Sequence, residues 1–143
     1  MNEKLELTIV TDLTEDQIDQ LLELYQNEFW CNKRKRKDLA SMLMHSDMIV
    51  GVEDRTHHLV GFARILTDYS YKAILFDLIV HPKWRGKAVG RFLIDTVISH
   101  PKLCKVEHFD LNCLPEMVPF YEKWGFTAEL GTLKLMRRSG HQQ

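Results

Sequence analysis

The sequence predicts an α/β fold of the α+β kind, in which a mixed, mostly antiparallel sheet of six to seven strands is flanked by about four helices. Three observations lead there. Short apolar runs recur, separated by polar turn residues, and three of them follow one another closely enough to pair as antiparallel neighbours. Other segments carry apolar residues at i, i+3, i+4 and i+7, the stripe of an amphipathic helix. One strand pattern, Ala73 to Val80, runs through a basic, glycine-containing turn straight into such a helix.

Taken in order, Leu5 to Val10 alternates Leu5, Leu7 and Ile9 with polar residues, as a half-buried strand does. Thr14 opens a T-E-D-Q capping box in which its hydroxyl and the Gln17 amide satisfy the first unpaired donors of a helix. Ile18, Leu21, Leu22 and Tyr25 form the buried stripe of that helix, which is expected to end near Phe29 or Trp30. The run Asn32 to Lys37, NKRKRK, follows. A nucleic-acid patch or a contact for a cofactor phosphate is the functional reading, but a solvated loop weighs more, because single short basic runs are common on surfaces. A second helix from Asp38 would bury Leu39, Met42 and Leu43.

Met48 to Val52 and Leu59 to Leu66 read as a hairpin around the polar turn Asp54 to His57, and a second turn at Asp68 to Tyr71 leads into the strand Ala73 to Val80. Val89, Phe92, Leu93, Thr96 and Val97 give the next helix its apolar face, and Ser99-His100-Pro101 stops it. Val106 to Asn112 reads as a strand with Val106, His108, Asp110 and Asn112 on one side. That polar side suits an acceptor pocket or a solvated face equally well. Pro115 to Trp124 is the last helix, with Pro119 in its first turn, where a missing N–H costs nothing, and Gly125 as its stop. Phe126 to Glu129 and Thr132 to Met136 are expected to close the sheet as a hairpin around Gly131, and residues 137–143 form a polar, flexible tail.

A chain of 143 residues with 45% hydrophobic content is the size of one domain, so 1–143 is expected to fold around a single core. A formal net charge of −1 provides no global field for nucleic acid or an anionic membrane, and no apolar run approaches the length of a membrane span. The opening segment MNEKLELTIV is charged and alternating, unlike a signal peptide, so a cytoplasmic location is expected. Three cysteines without C-x-x-C spacing argue against disulfides, and seven histidines without an H-x-x-x-H or His/Cys cluster argue against a metal centre.

Chemistry concentrates between the 73–80 strand and the following helix. At Arg85-Gly86-Lys87-Ala88-Val89-Gly90 the residues are small or cationic where a helix begins, so unpaired amides face outward at the positive end of its dipole. Gly86 and Gly90 let an anion approach the main chain, while Arg85, Lys87 and Arg91 add charge. Neither the P-loop nor the dinucleotide fingerprint is present. Asp77 stands inside an apolar strand, where its carboxylate must be paired, hydrated or functional. It is either a general base or the structural partner of a cation such as Arg64, and both readings stand.

The pattern V-x-P-x-x-R-G-x-[GA]-V-G from Val80 to Gly90, followed by an amphipathic helix and then FYEKWGF at Phe120 to Phe126, resembles the GNAT superfamily of N-acetyltransferases. The resemblance covers both segments, their order and their separation. It implies that the turn, from Arg85 through Gly86, Lys87, Ala88, Val89 and Gly90 to Arg91, holds the pyrophosphate of acetyl-CoA, with no metal. It implies further that the pantetheine arm lies along Leu78, Ile79 and Val80 like an added strand, with a backbone N–H there facing the thioester oxygen.

Tyr121 matches the family tyrosine that lies near the sulfur, and a phenol of pKa about 10 is a feasible donor to the departing thiolate. A core tyrosine with a satisfied hydroxyl is the plainer alternative. Two departures stand out. Ala88 replaces the more usual Gly, tolerable if that residue has helical dihedrals, and Leu114 replaces an Asn seven residues before the tyrosine, leaving Asn112 as the substitute cofactor contact. By resemblance, Phe29, Trp30 and the basic run lie over the acceptor.

The expected function is therefore transfer of acetyl from acetyl-CoA to a primary amine of a small molecule, peptide or protein, catalysed by Tyr121 and Asp77, in a chain that is a candidate homodimer. Asp110 and His108 are weaker catalytic candidates. The alternative is a non-catalytic acyl-CoA-binding or sensor domain of the same fold. A nucleic-acid module using NKRKRK ranks below both.

Overall fold

The computed structural model describes residues 6–140. By contacts these residues fall into two compact units, Met1–Leu111 and Asn112–Gln143. Leu5, the first residue of the expected first strand, lies outside the described residues, as do the last three of the tail.

The first unit is a five-stranded sheet in the spatial order β1-β2-β3-β4-β5. β1 (Thr8–Val10), β2 (Met48–Glu53), β3 (Leu59–Thr67) and β4 (Lys72–Val80) form an antiparallel meander, and β5 (His108–Leu111) joins β4 in parallel. A parallel neighbour needs a crossover, which α3 (Val89–Ser99) supplies. The two meander turns are held by carboxylates: Asp54 accepts from the amides of Thr56 and His58, and Asp68 from those of Ser70, Tyr71 and Lys72. Both are local side-chain to backbone bonds of the kind that make Asp a turn residue.

Helices cover both faces. α1 (Glu15–Gln26) starts on the expected capping box: Thr14 Oγ1 accepts from the Gln17 amide and Gln17 Oε1 accepts from the Thr14 amide, each at 3.1 Å. Its Ile18, Leu21, Leu24 and Tyr25 pack with Leu39 of α2 (Arg36–His45) against Ile49, Leu59, Phe62 and Ile79. Gln17 is buried as well, donating to Glu53 and to the carbonyl of His57, which ties the first turn of α1 to the β2–β3 hairpin.

On the other face, α3 buries Val89, Leu93, Ile94 and Val97, each worth about 1.5–3 kcal/mol of transfer free energy. Gly61 makes that packing possible: a Cβ there would stand 2.7 Å from Val89 Cγ1 and 3.2 Å from Leu93 Cδ1. The first turn of α3 is therefore seated directly on the sheet.

α1 ends at Gln26, earlier than expected, because the chain folds into successive turns in which Glu28 N bonds Tyr25 O and Cys31 N bonds Glu28 O. In the second unit the expected last helix is split into a 3-10 turn, Pro115–Met117, and α4, Val118–Glu122. Pro119 lies in the first turn of α4, and Gly125, at φ +86°, stops it as expected.

The expected hairpin of Phe126 to Glu129 and Thr132 to Met136 does not form. The segment takes local bonds instead, Glu129 N to Thr127 Oγ1, Leu130 N to Ala128 O and Leu133 N to Leu130 O. Alternation of Leu133 and Leu135 with polar neighbours expresses a strand preference, and a ladder also requires a partner. The described sheet thus has five strands where six to seven were expected.

Candidate active site

β4 is the strand on which the site is built. β5 pairs with it only from Lys72↔His108 to Leu75↔Leu111, so from Phe76 to Val80 it has β3 on one side and no strand of the described sheet on the other. Leu78 and Val80 are half-buried and Ile79 is buried. An open strand edge offers its main-chain donors and acceptors to an extended ligand.

The free stretch begins at a bulge. Phe62 pairs with Ile79 and Arg64 with Phe76, so Asp77 and Leu78 together oppose the single residue Ala63. Asp77 takes φ +59°, a left-handed conformation that costs a residue with a Cβ about 1–2 kcal/mol. A bulge of this kind turns the strand locally and re-aims its peptide groups.

What holds Asp77 there is a cluster drawn from three elements. Its Oδ2 accepts from Arg34 Nη1 at 2.6 Å, Arg64 Nε at 2.8 Å and the Tyr25 hydroxyl at 3.1 Å, while Oδ1 accepts from Arg34 Nη2 at 3.2 Å. Only 5% of the Asp77 side chain is exposed. Burial pushes its carboxyl up, but the hydrogen bonds and charges of Arg34 and Arg64 outweigh it and leave the group below the ordinary carboxylate range. The Tyr25 phenol is driven upward by burial and by the Asp77 charge, so it stays protonated and donates. Arg34 also lies over the Tyr25 ring, 4.6 Å from its centroid, with Trp30 at 5.8 Å. Of the two roles the sequence leaves open for Asp77, the arginine's partner is the one this geometry favours.

Beyond Val80 the chain enters the turn. His81 Nδ1 accepts from the Lys83 amide and so caps a 3-10 turn, Pro82–Trp84. Burial and the neighbouring charges of His58 and Lys83 lower the His81 value, which keeps the ring neutral and able to accept. Gly86 lies at φ +75° with open space where a Cβ would be.

Ala88, tolerable in place of Gly on the condition of helical dihedrals, does not meet that condition: it lies at φ +64°, ψ +20°, the left-handed region where Gly is unstrained. As N-cap of α3 it provides no side-chain cap, and the first bond of the helix runs from Phe92 N to Ala88 O at 3.0 Å. The amides of Val89, Gly90 and Arg91 therefore have no partner within the helix. Arg85, Lys87 and Arg91 surround them, all exposed, with Arg85 Nη2 bonded to Glu28 Oε1 at 2.8 Å and the Lys87 ammonium 5.3 Å from the Trp84 ring centroid. An uncapped helix end with cationic residues on either side of it in sequence can hold an anion, and the open β4 edge that leads to it can take an extended ligand with amide groups.

Tyr121 and Asn112 belong to the second unit. Tyr121 is 8% exposed, with its ring edge-on to Phe120 and Phe126. Burial, then the neighbouring Cys113, pushes its phenol up to about 12. Such a phenol is a good hydrogen-bond donor and a reluctant acid. Asn112 is exposed. Asp110 pairs with Lys72 at 2.8 Å on an exposed face and His108 is exposed, at the far end of β4 from the bulge. His108 stands opposite Lys72, five residues or about 16 Å along the strand from Asp77, and Asp110 opposite Ile74, three residues or about 10 Å from it.

Sequence reasoning missed Arg34, Tyr25 and Glu28. Arg34 is hidden in a run that reads as solvated, Tyr25 in the apolar stripe of α1, and nothing in the order of residues pairs Glu28 with Arg85.

Among known proteins, a family profile described as an acetyltransferase (GNAT) domain matches residues 9–134. The uncharacterized N-acetyltransferase ycf52 of Porphyra purpurea is 28% identical over 123 residues, 80% of this chain and 71% of that protein. GCN5-related N-acetyltransferase 1, chloroplastic, of Arabidopsis thaliana is 28% identical over 105 residues, 71% of this chain and 53% of that protein. A crystal structure of a GNAT-family acetyltransferase from Xanthomonas campestris pv. campestris superposes with a TM-score of 0.80 at 28% identity, covering 94% of each chain. With the profile spanning most of its length, and with a bulged strand feeding an uncapped helix in its structure, this chain belongs to the GNAT acetyltransferase family.

Proposed function

We propose that this chain is an N-acetyltransferase that moves the acetyl group of acetyl-CoA directly to a primary amine of a small molecule, a peptide or a protein, with 1–143 working as one domain. The observation that carries this reading is the continuity of the open β4 edge, Phe76 to Val80, with the uncapped amides of α3. In this reading the amides of Val89, Gly90 and Arg91, with Gly86, Arg85, Lys87 and Ala88 around them, hold the diphosphate. Main-chain groups of Leu78, Ile79 and Val80 bond the pantetheine, and Asn112 adds a cofactor contact.

The reaction asks little of side chains. An uncharged amine nitrogen attacks the thioester carbonyl, the C–N bond forms as the C–S bond breaks, and the thiolate leaves with the electron pair. A backbone N–H at the bulge stabilises charge on the carbonyl oxygen. By the resemblance at Phe120 to Phe126, Tyr121 is the proposed proton donor to the departing thiolate, and burial raises its phenol so that it is held protonated until then. Asp77, bound by two arginines, does not take the proton from the acceptor ammonium, which passes to water instead.

No described helix is long and apolar enough to cross a membrane. The cytoplasm is the compartment we propose, although two relatives are chloroplastic by name. A homodimer is part of the same proposal.

Calorimetric titration of acetyl-CoA into the wild type and into Gly86→Glu and Gly90→Glu tests the site. Binding by the wild type is expected, with at least a tenfold loss in each variant, because the new carboxylate meets the diphosphate. Absence of wild-type binding would sink the reading. Thiol release across a panel of amines then separates the enzyme from its rival, a non-catalytic acyl-CoA sensor. One observation favours that rival, namely the absence of a free base at Asp77. The sensor predicts binding without thiol release for any amine.

A further inference from the structure

We infer that Arg34 is a positioning residue for acyl transfer: reaching from the α1–α2 loop, its guanidinium clamps Asp77 at the β4 bulge and fixes the main chain that the acyl group meets. The inference rests on the acetyl-CoA reading above.

The bulge needs a clamp. Asp77 occupies a left-handed conformation inside a strand whose other edge is open from Phe76 onward, so the ladder constrains it on one side only. A conformation of that kind persists only where its surroundings over-determine it. Here four hydrogen bonds converge on one carboxylate, and two of them come from Arg34, 43 residues away in sequence.

Neutralisation alone does not explain Arg34. Arg64, on the neighbouring strand, already gives Asp77 a counter-charge at 2.8 Å, so the second guanidinium leaves the cluster with an excess positive charge and an added desolvation cost. What Arg34 adds is geometry. Its fork takes both oxygens of Asp77, which fixes the rotation of the carboxylate and with it the Cα of the bulge. Stacking on Tyr25 and Trp30 fixes the guanidinium in turn.

The same loop is also tied to the turn by Glu28 and Arg85. Both ends of the open edge are thus referred to one loop, the loop that carries Phe29 and Trp30, which are 72% and 44% exposed.

CoA and acetyl-CoA are the probes, because they share the diphosphate and the pantetheine and differ only in the acyl group that would lie at the bulge. Each is titrated calorimetrically into the full chain as wild type, Arg34→Met, Arg34→Lys and Asp77→Asn, with thermal unfolding of each recorded beside it. Arg34→Met and Asp77→Asn are expected to keep CoA affinity within about twofold while the acetyl-CoA to CoA affinity ratio falls about fivefold. Arg34→Lys, which keeps the charge and loses the fork, is expected to match Arg34→Met, and a wild-type ratio in Arg34→Lys overturns the inference by making charge sufficient. An unchanged ratio in a folded Arg34→Met overturns the inference and leaves the acetyl-CoA reading standing. Equal loss of both probes in step with a lower unfolding temperature overturns it too, by reducing Arg34 to a structural residue. A wild type that binds neither probe removes the acetyl-CoA reading, and the inference goes with it.

Discussion

Ala88 carries a local strain that a single substitution relieves. At φ +64° its methyl group crowds the following carbonyl, and Gly would not. Part of the gain is returned as extra freedom of the unfolded chain, so Ala88→Gly is expected to stabilise by about 0.5–1 kcal/mol, read as a higher urea midpoint at unchanged m. Asp77 makes a pH-dependent contribution of the opposite kind. Its folded-state value lies below that of the unfolded chain, so the stabilisation is complete above the unfolded carboxyl value, about pH 4, and is lost as the pH falls through the folded value. Asp77→Asn is expected to cost about 3 kcal/mol at neutral pH by leaving Arg34 and Arg64 without their counter-charge, and to flatten the acid limb of stability measured by urea unfolding from pH 3 to 7. A wild type and variant with parallel acid limbs would contradict this.

Among the elements, the α1–α2 loop joins parts of the molecule that the sheet alone leaves separate. Glu28 holds Arg85, the first cation of the turn, through a bond at 2.8 Å on a half-exposed arginine. Removing the carboxylate releases that arginine to an incoming diphosphate. Glu28→Gln is expected to tighten acetyl-CoA binding about two- to threefold at low ionic strength, with the difference vanishing near 0.5 M salt as screening removes exposed ion pairs. Calorimetry across a salt series checks it, and weaker binding in the variant would mean that Glu28 aims Arg85 at the ligand.

Elements whose cause is local are legible in the sequence. Thr14 with Gln17 marks the start of α1, Asp54 and Asp68 mark the meander turns, Gly125 ends α4, and the Val80 to Gly90 pattern marks the passage from β4 into α3 on which the candidate site is proposed. Partnership at a distance is not legible. Arg34 and Lys33 are alike as letters in a basic run, and only the fold turns one of them onto Asp77. The left-handed Ala88 escaped for a related reason, since an alanine at a helix start gives no sign of an unusual φ. The hairpin expected at Phe126 to Met136 failed from the opposite side, where a clear local pattern lacks the pairing that would make it a strand.

For the molecule as a whole, charge and topology set the terms on which the site operates. With a net charge of −1 the field of the whole chain attracts no polyanion, so in the proposed reading that attraction rests on Arg85, Lys87 and Arg91. The order β1-β2-β3-β4 is the same in space as in sequence, but only β2, β3 and β4 close through short turns, because α1 and α2 lie between β1 and β2. The β2–β3 and β3–β4 hairpins are local, and hairpins of this kind form quickly. Several connections are long, among them the pairing of β1 with β2, the bond from Arg34 to Asp77, and the crossover that brings β5 to β4. The bulge at Asp77 is thus set by a contact that loop-closure entropy places late in folding. During synthesis β2 and β3 can pair before Asp77 has been added to the chain, so the bulge takes its shape against a hairpin that is already in place.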